Sequence, residues 1–198
     1  MRIFKLVITG GPCGGKTDGI LAIREFLIKK GFEVIVVQET ATELITSGIT
    51  IKKVGLENFQ SIVFERSLNK EKTALDAARY MNKDVVILYD RGFLDAKAYM
   101  PKEMFESLIR KHHVTQMDIL YRYDAVFHLV TTADGAEEFY TLKNNNARSE
   151  TPEEARILDK KTKEAWIEHP HLRIFDNSTD FEGKINRVLN EITFVIDN

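Results

Sequence analysis

The eight residues from Gly10 to Thr17 combine residue types that suit phosphate binding. They read GGPCGGKT, and Gly10, Gly15, Lys16 and Thr17 fit the pattern G-x-x-x-x-G-K-T. Glycines let successive backbone N–H groups point at an anion, and the positive end of a following helix adds to the attraction. The lysine can bridge terminal phosphates, and the threonine hydroxyl can ligate Mg²⁺. The stretch therefore predicts a site for ATP, or for GTP, together with Mg²⁺.

Most of the residues predicted to surround the bound nucleotide lie in or directly after this stretch. A glycine-rich turn without a ligand is the alternative interpretation, but an apolar run precedes the pattern and a helical stripe follows it, as a phosphate loop requires. A dinucleotide fingerprint is excluded because Pro12 stands where that motif has its second glycine. The predicted nucleotide-binding residues here are Gly11, Pro12, Cys13, Gly14, Gly15, Lys16, Thr17 and Asp18.

A second acidic position follows the run DVVILYD, which ends in Asp90. At the carboxyl end of a strand beside the loop, Asp90 could hold Mg²⁺ or its water together with Thr17. A motor ATPase would need a glutamate next to Asp90 to activate water, whereas here Arg91 stands there, which suits the gripping of a phosphoryl group. No Asn-Lys-x-Asp tetrad occurs, which disfavours a GTP switch.

Glu39 is the candidate general base. It follows the apolar run EVIVVQ, so in a doubly wound sheet it would face the same crevice as the loop and could accept the proton of a hydroxyl acceptor. A solvated or helix-capping glutamate at the start of ATELI is the alternative. The sequence thus predicts a transfer reaction with Lys16, Glu39, Asp90 and Arg91 among its catalytic groups.

Residues 132–150 have the composition of a lid, with one glycine, three asparagines and weak periodicity. Arg148 lies near the end of this segment, and Arg156 lies one turn inside the helix that follows. Both could close over the phosphates, exclude water and neutralise charge in the transition state. The alternative is a surface face of ion pairs, since Asp159 is three residues from Arg156 and four from Lys163.

Apolar runs, each bounded by residues that break regular structure, alternate with stretches in which apolar residues recur at helical spacing. These strands and helices must position the candidate residues. The runs are rich in β-branched residues and nearly continuous, as in strands buried on both faces of a parallel sheet. Four helices are predicted: one from the apolar stripe that ends at Gly31, one over 56–82, one that begins at the capping box of Thr151, and one over 181–195. The pattern predicts an α/β fold, a three-layer α/β/α arrangement with a parallel five-stranded sheet. The predicted strands are 3–9, 33–38, 84–90, 125–131 and 172–175.

Length and composition fit one nucleotide-binding domain over residues 1–198. The apolar fraction is 43%, the charged fraction is 29% and the formal net charge is −2. Such a charge argues against nucleic acid as a partner and makes any anion site local. The apolar run at the start is too short for a signal peptide, and no run approaches a transmembrane length, so a cytoplasmic location is expected.

With these residues in hand, the chain resembles the P-loop proteins grouped as small AAA-type domains, and is similar to the ribosylnicotinamide kinase domain and to other nucleoside and nucleotide kinases. The resemblance spans nearly the whole chain. It rests on ITGGPCGGKT, on Glu39-x-Ala41, on DRGFLD, on NARSETPEEARILD, and on the later Trp166, HPH and FDN.

The resemblance implies a nucleoside-kinase-like fold with a lid. It implies that Lys16 and Thr17 contact the donor phosphates, that Arg91 lies near the acceptor, and that Arg148 and Arg156 are lid cations. It also implies that the loop at 176–179, with Asn177, lies near the nucleotide base. The chain departs from the family pattern at Cys13-Gly14 and at Asp18, which adds negative charge close to the phosphates.

The residues therefore predict a kinase that transfers the terminal phosphoryl group to a small nucleoside-like hydroxyl acceptor. The spacing of Phe59 favours a core position, although Phe59 and Gln60 could also line an acceptor pocket, and the role of Gln60 stays open. A second hypothesis is a nucleotide-gated binding module for a protein or an anionic lipid, with slow hydrolysis of the nucleotide. A plain ATPase is disfavoured by Arg91.

Overall fold

The computed structural model describes residues 1–140 and 150–197. In these residues five strands form one sheet in the order β2-β3-β1-β4-β5, and every neighbouring pair is parallel. The predicted α/β class with a parallel five-stranded sheet is confirmed. The strands are β1 Ile3–Thr9, β2 Glu33–Val37, β3 Val85–Asp90, β4 Ala125–Leu129 and β5 Leu172–Phe175.

The four helices predicted from the sequence are present, and the described residues contain four shorter α-helices besides. Thr151 caps its helix as predicted, because its hydroxyl accepts from the backbone N–H of Glu154 while the Glu154 carboxylate accepts from the backbone N–H of Thr151. The α-helices are α1 Lys16–Lys29, α2 Thr40–Thr46, α3 Ile51–Val54, α4 Leu56–Arg79, α5 Lys102–Lys111, α6 Gln116–Leu120, α7 Pro152–Ala165 and α8 Phe181–Asp197, and short 3₁₀ helices span Phe93–Ala98 and Glu137–Phe139.

Two apolar cores lie on opposite faces of the sheet and give it three layers. On one face, Leu6, Ile8 and Phe127 pack against residues of α1 and α8. On the other face, alternate strand residues such as Val7 and Ile87 pack against α4 to α7. The strands are buried on both sides, which explains why their sequences are nearly continuous apolar runs.

The order of the strands places the candidate site. β1 lies at the centre of the sheet, between β3 and β4, and Ile8 stands opposite Asp90 in the parallel register. After β1 the chain passes to the β2 edge, and after β4 it passes to the β5 edge. In open α/β sheets ligands bind beyond the carboxyl ends of such strands, so the loops after β1, β2 and β3 form the expected crevice.

None of the helices in the described residues is long and apolar enough to cross a lipid bilayer.

Candidate functional site

The predicted phosphate-binding loop is the turn between β1 and α1. Gly10 and Gly15 lie in the left-handed region of backbone space, with φ of 137° and 81°. A Cβ atom on Gly10 would lie 2.0 Å from the backbone oxygen of Leu129, so only glycine fits there. Cys13 adopts a positive φ of 56° without being glycine, and its backbone oxygen accepts from the N–H of Thr132 at 3.2 Å. The loop therefore has the curled backbone that the motif predicts.

Lys16 begins α1 and turns back over the loop. Its ammonium group is buried and donates to the backbone oxygens of Gly10 at 3.0 Å and Gly11 at 2.6 Å. Its positive charge helps to lower the pKa of Glu39 and opposes the rise in the pKa of Asp90, so both carboxylates lie within its electrostatic reach. Lys16 therefore stands between the loop and the acidic residues, where a terminal phosphate would need a cation.

Asp90 ends β3 directly beside the loop. Its Oδ1 atom is buried and has no hydrogen-bond partner among the described residues. Burial raises the pKa of Asp90, and the nearby Glu39 carboxylate raises it further, against the lowering effects of Lys16 and Arg91. A buried carboxylate oxygen without a partner costs free energy, so this atom suits a cation or a cation's water.

Thr17 and Asp90 line the same groove, whose volume is about 860 Å³. A hydroxyl and a carboxylate are the hard oxygen ligands that Mg²⁺ prefers, and Mg²⁺ typically takes its other ligands from water and substrate phosphates. No cluster of three or more histidine, cysteine, aspartate or glutamate side chains suited to a metal occurs in the described part of the chain. The residues present therefore fit Mg²⁺ that arrives with a nucleotide better than a metal held by protein alone.

Glu39 and Arg91 form an ion pair across the crevice. Arg91 Nε donates to Glu39 Oε1 at 2.5 Å, and Arg91 Nη1 donates to the backbone oxygen of Gly10 at 3.2 Å. Although Glu39 directly precedes α2, its side chain makes no hydrogen bond to the N–H groups of that helix and instead accepts from the Thr42 hydroxyl at 2.7 Å. The helix-capping alternative for Glu39 is therefore not the observed arrangement.

The environment of Glu39 keeps it ionised. Burial alone would raise its pKa, but the Arg91 guanidinium, the Thr42 hydroxyl and the Lys16 ammonium outweigh burial and lower the pKa from 4.5 to about 2. Arg91 stays charged, because although burial opposes its charge, the surrounding Tyr99, Glu39, Asp95 and Asp90 raise its pKa well above the ordinary value. Arg91 and Glu39 are therefore both charged and form an ion pair at the edge of the predicted phosphate loop.

The structure describes one of the two predicted lid cations. Arg148 lies outside the described residues. Arg156 lies on α7, where Nη1 donates to the backbone oxygen of Ala133 at 2.6 Å, and Nε and Nη2 donate to Glu153 Oε2 at 3.1 and 2.9 Å. In this arrangement Arg156 contacts neither the phosphate loop nor Glu39, so its role over the phosphates stays a prediction.

Asp159 is a site residue that the sequence interpretation missed. The surface-pair alternative placed it on an exposed face with Arg156 and Lys163, and this is wrong for Asp159, which is 5% exposed. Its Oδ1 accepts from the backbone N–H of Gly11 at 2.8 Å and of Thr131 at 3.0 Å. Its Oδ2 lies 3.2 Å from His128 Nε2. The signal in the sequence was its spacing four residues after the apolar Ala155, which puts both residues on one face of α7.

Asn177 lies in the loop between β5 and α8. Its amide nitrogen donates to the backbone oxygens of Thr131 at 2.8 Å and Asp134 at 2.6 Å, and its amide oxygen accepts from Lys184 Nζ at 2.8 Å. Lys184 is buried, and burial lowers its pKa from 10.5 to about 8. Asn177 therefore fastens this loop to the turn after β4, and its predicted place beside a nucleotide base stays a prediction.

A second cavity, of about 340 Å³, lies next to the groove. The two spaces share lining residues at one edge: Gln38, Glu39, Thr42 and Asp90. Phe59 is 2% exposed and Gln60 is 7% exposed, and both line this cavity, so Phe59 is at once a core residue and a wall of a pocket. The structure thus brings Lys16, Thr17, Glu39, Asp90 and Arg91 together where the groove meets the second cavity.

Comparison with known proteins gives one family match. A family model described as "AAA domain" matches residues 5–184, which is most of the chain and includes the loop, Glu39, Asp90, Arg91 and Asp159. A search of curated proteins gives no significant match.

Proposed function

This chain belongs to the AAA domain family, and from that premise we propose that it is a kinase for a small hydroxyl compound. Membership of the family makes the chain a P-loop protein of the nucleotide-binding type. In the proposed reaction the protein binds Mg-ATP, or Mg-GTP, and transfers the terminal phosphoryl group to a nucleoside-like acceptor.

The observation that supports transfer, as opposed to hydrolysis, is the junction of the two cavities. The groove contains Lys16 and Thr17, and it shares Glu39 and Asp90 with the 340 Å³ pocket as lining residues. A hydrolase needs only a water beside the terminal phosphate. A pocket that adjoins the groove at these residues provides room for a larger acceptor.

Lys16, Thr17 and Asp90 serve the donor nucleotide in this proposal. The backbone N–H groups of the loop bind phosphate oxygens, and the ammonium of Lys16 leaves the backbone oxygens of Gly10 and Gly11 for the terminal phosphates. Mg²⁺, when bound, would neutralise charge on the phosphates, held by the Thr17 hydroxyl and the Asp90 carboxylate. Asp90 Oδ1 would then gain the partner that it otherwise lacks.

Glu39 and Arg91 serve the acceptor. The acceptor oxygen forms a bond to the terminal phosphorus while the bond from that phosphorus to the bridging oxygen breaks, and ADP or GDP leaves. The hydroxyl proton passes to the Glu39 carboxylate. A pKa of about 2 makes Glu39 a weak base, which suits a loose transition state in which orientation of the hydroxyl matters more than early removal of its proton. Arg91 holds Glu39 in place and stabilises charge on the phosphoryl group.

The proposal gives the lid and the late loop supporting roles. Arg148, just before α7, and Arg156 on that helix would supply positive charge when residues 132–150 close over the phosphates. Asn177 would contact the base of the nucleotide at the loop after β5. Both assignments rest on the resemblance.

A screen for acceptor-dependent nucleotide consumption tests the proposal. Purified protein with Mg-ATP or Mg-GTP is incubated with nucleosides, including ribosylnicotinamide, and with other small hydroxyl compounds, and ADP or GDP release is measured. At least one acceptor should stimulate release, and Lys16→Ala should abolish the stimulated rate. The kinase proposal fails if no acceptor raises release above the rate with nucleotide alone while calorimetry detects nucleotide binding.

That failed outcome favours the second hypothesis, a nucleotide-gated binding module. Such a module would capture a protein or anionic lipid only when ATP or GTP is bound, with little turnover.

A further inference from the structure

Resting on the proposed transfer reaction, we infer that Asp95 is a positioning residue for Arg91, which it holds beside the phosphates when Glu39 takes up the proton of the acceptor. Asp95 is the last residue of the DRGFLD stretch, and the proposed reaction gives it no role of its own. Two observations carry the inference. The backbone of Arg91 has an unfavourable conformation, and one buried carboxylate connects the turn that contains Arg91 to the start of the predicted phosphate loop.

Arg91 has a backbone conformation that residues other than glycine rarely adopt. Its φ is 71°, in the left-handed region, where the Cβ atom of an ordinary residue makes unfavourable contacts. Its side chain reaches Glu39 and the backbone oxygen of Gly10. Such a conformation persists only where the surrounding structure enforces it. The residues around the turn therefore decide where the Arg91 guanidinium lies.

Asp95 enforces this turn from the short 3₁₀ helix that follows it. The residue is 3% exposed, and its Oδ2 atom accepts from the backbone N–H of Gly92 at 2.6 Å. Its Oδ1 atom accepts from the hydroxyl of Thr9, the last residue of β1. Gly92 directly follows Arg91, and Thr9 directly precedes the loop at Gly10–Thr17. The Asp95 carboxylate thus fixes Arg91 and the predicted phosphate loop relative to each other.

Gly92 is also held by packing. A Cβ atom on Gly92 would lie 2.6 Å from Cζ2 of Trp166, which is fully buried directly after α7. Contact with the Trp166 ring and the hydrogen bond to Asp95 therefore both restrict the position of Gly92, and with it the position of Arg91.

Arg91 has two carboxylate partners of different kinds. Glu39 Oε1 accepts from Arg91 Nε at 2.5 Å, and Asp95 Oδ1 lies 3.9 Å from Arg91 Nη1. Burial raises the pKa of Asp95, while the Arg91 guanidinium, the Thr9 hydroxyl and the Gly92 N–H counteract burial. Both Asp95 oxygens already accept from protein donors, whereas Glu39 lines the groove of the proposed donor. Asp95 is therefore the partner that keeps its contacts throughout the reaction.

The proposed reaction removes the charge of the other partner. When the Glu39 carboxylate accepts the hydroxyl proton, its attraction for Arg91 weakens at the step in which the phosphoryl group needs the guanidinium. Asp90, a further carboxylate near Arg91, is assigned to Mg²⁺ in the proposal. Asp95 then supplies the negative charge and the backbone geometry that keep Arg91 beside the loop.

Hydrogen exchange in Glu39→Gln tests this role without an acceptor. Glutamine mimics the uncharged Glu39 of the transfer step, and NMR of ¹⁵N-labelled arginine side chains, with Arg91→Lys for assignment, follows the Arg91 Nε–H. We expect its exchange to stay slow in Glu39→Gln and to accelerate about tenfold or more in Glu39→Gln/Asp95→Asn. Equal exchange rates in the two variants would overturn the inference. Asparagine keeps the size of Asp95 and one acceptor oxygen, so the double variant should fold, which thermal unfolding checks.

Arg24 provides the reference should the double variant not fold. Arg24 is exposed on α1, and its side chain makes no ion pair or hydrogen bond to any residue that the structure describes. In Glu39→Gln the Arg91 Nε–H should exchange at least about tenfold more slowly than that of Arg24. Equal rates would show that Arg91 leaves its place once Glu39 is uncharged, which would also overturn the inference.

The kinetics of Asp95→Asn test the consequence for transfer. With an acceptor from the screen, kcat should fall about tenfold or more because Arg91 is misplaced, while KM for Mg-ATP should change less than about threefold since Lys16 and the loop remain. The matched control is Asp118→Asn, which removes a carboxylate with the same capping role on α6, where it accepts from the N–H of Thr115 at 2.8 Å. The control should leave both constants unchanged. A lower melting temperature of Asp95→Asn with the kcat of wild type would show a structural role alone and overturn the inference.

These experiments fail separately from the proposed function. If no acceptor stimulates ADP release, the kinase proposal fails, and the exchange experiment still decides whether Asp95 holds Arg91. If an acceptor stimulates release and Asp95→Asn transfers at the wild-type rate, the kinase proposal stands and the role of Asp95 is refuted.

Discussion

Asp159 accepts a hydrogen bond from the backbone N–H of Gly11 at 2.8 Å, although 148 positions separate them in the chain. The contact joins α7 to the phosphate-binding loop. A Cβ atom on Gly11 would lie 2.7 Å from Asp159 Cβ, so the loop and the helix also pack closely. The contact therefore fixes the helix that follows the predicted lid, and that carries Arg156, against the loop.

Removal of the Asp159 carboxylate should destabilise the fold. Asp159→Ala leaves the buried N–H groups of Gly11 and Thr131 without their acceptor, and each such loss typically costs about 1–3 kcal/mol. We therefore expect the free energy of unfolding in urea to fall by about 2 kcal/mol or more. Glu164→Ala, an exposed position on the same helix, should change it by less than about 0.5 kcal/mol. Equal effects of the two substitutions would contradict the anchoring role of Asp159.

The Glu39–Arg91 pair should make stability sensitive to acid. The folded pKa of Glu39 is lowered from 4.5 to about 2, so its contribution is present above about pH 4.5 and is lost as the pH falls towards 2. At neutral pH Glu39→Gln should lose about 3 kcal/mol, which is the upper value for this shift. Urea unfolding from pH 7 down to pH 2.5 should show wild type and variant converging. A constant difference across this range would show that the pKa of Glu39 is not shifted by folding.

Asp90→Asn should separate stability from nucleotide binding. Burial and the Glu39 carboxylate raise the pKa of Asp90, so its ionised form is unfavourable in the protein without ligand. The variant should therefore be at least as stable as wild type in thermal unfolding without nucleotide. Its affinity for Mg-ATP should fall about tenfold, and removal of Mg²⁺ with EDTA should weaken nucleotide binding less than it does in wild type. A variant that is both less stable and equally dependent on Mg²⁺ would rule out the ligand role of Asp90.

Glu39→Gln should also act on the transfer step more than on binding of the donor. The amide cannot accept the hydroxyl proton, so acceptor-dependent release of ADP should fall by about two powers of ten or more. The dissociation constant of Mg-ATP should change little, since Lys16 and the loop remain. Thr42→Val, which removes only the hydroxyl that donates to Glu39, should reduce the rate far less. Transfer at the wild-type rate in Glu39→Gln would exclude Glu39 as the base.

Bound nucleotide should shield Cys13. The residue lies in the middle of the phosphate loop, is partly exposed and is the one cysteine of the chain, so alkylation reports on this loop alone. With Mg-ATP or Mg-GTP at saturating concentration, alkylation by iodoacetamide should slow about tenfold or more. The Lys16→Ala variant should lose this protection. If the rate were the same with and without nucleotide in the wild type, the loop would lie outside the binding site.

Most of the fold could be predicted from the sequence because its signals are local. The five strands predicted from apolar runs agree with the observed strands to within two residues at each end. The capping box at Thr151 correctly predicted the start of α7. The loop at Gly10–Thr17 was likewise predictable, since its glycines, lysine and threonine are contiguous and each has a local geometric reason.

The pairing within the site was not predictable in the same way. Glu39 and Arg91 were each proposed as functional, but their 2.5 Å hydrogen bond depends on β2 and β3 being neighbours in the sheet. Asp159 entered only through the alternative of a surface face, because helical spacing alone offered Arg156 and Lys163 as partners. Its actual partners lie on other elements, at Gly11, Thr131 and His128.

The sequence by itself determined which residues can bind phosphate and which stretches are strands or helices, because propensity, periodicity and capping act between near neighbours in the chain. Only the tertiary structure decided that a carboxylate on α7 anchors the predicted phosphate loop, and that a cavity with aromatic lining residues lies beside it. These features arise from packing between segments that are distant in the chain. Burial there removes water, so each polar group must form its hydrogen bonds with the groups that the fold places beside it.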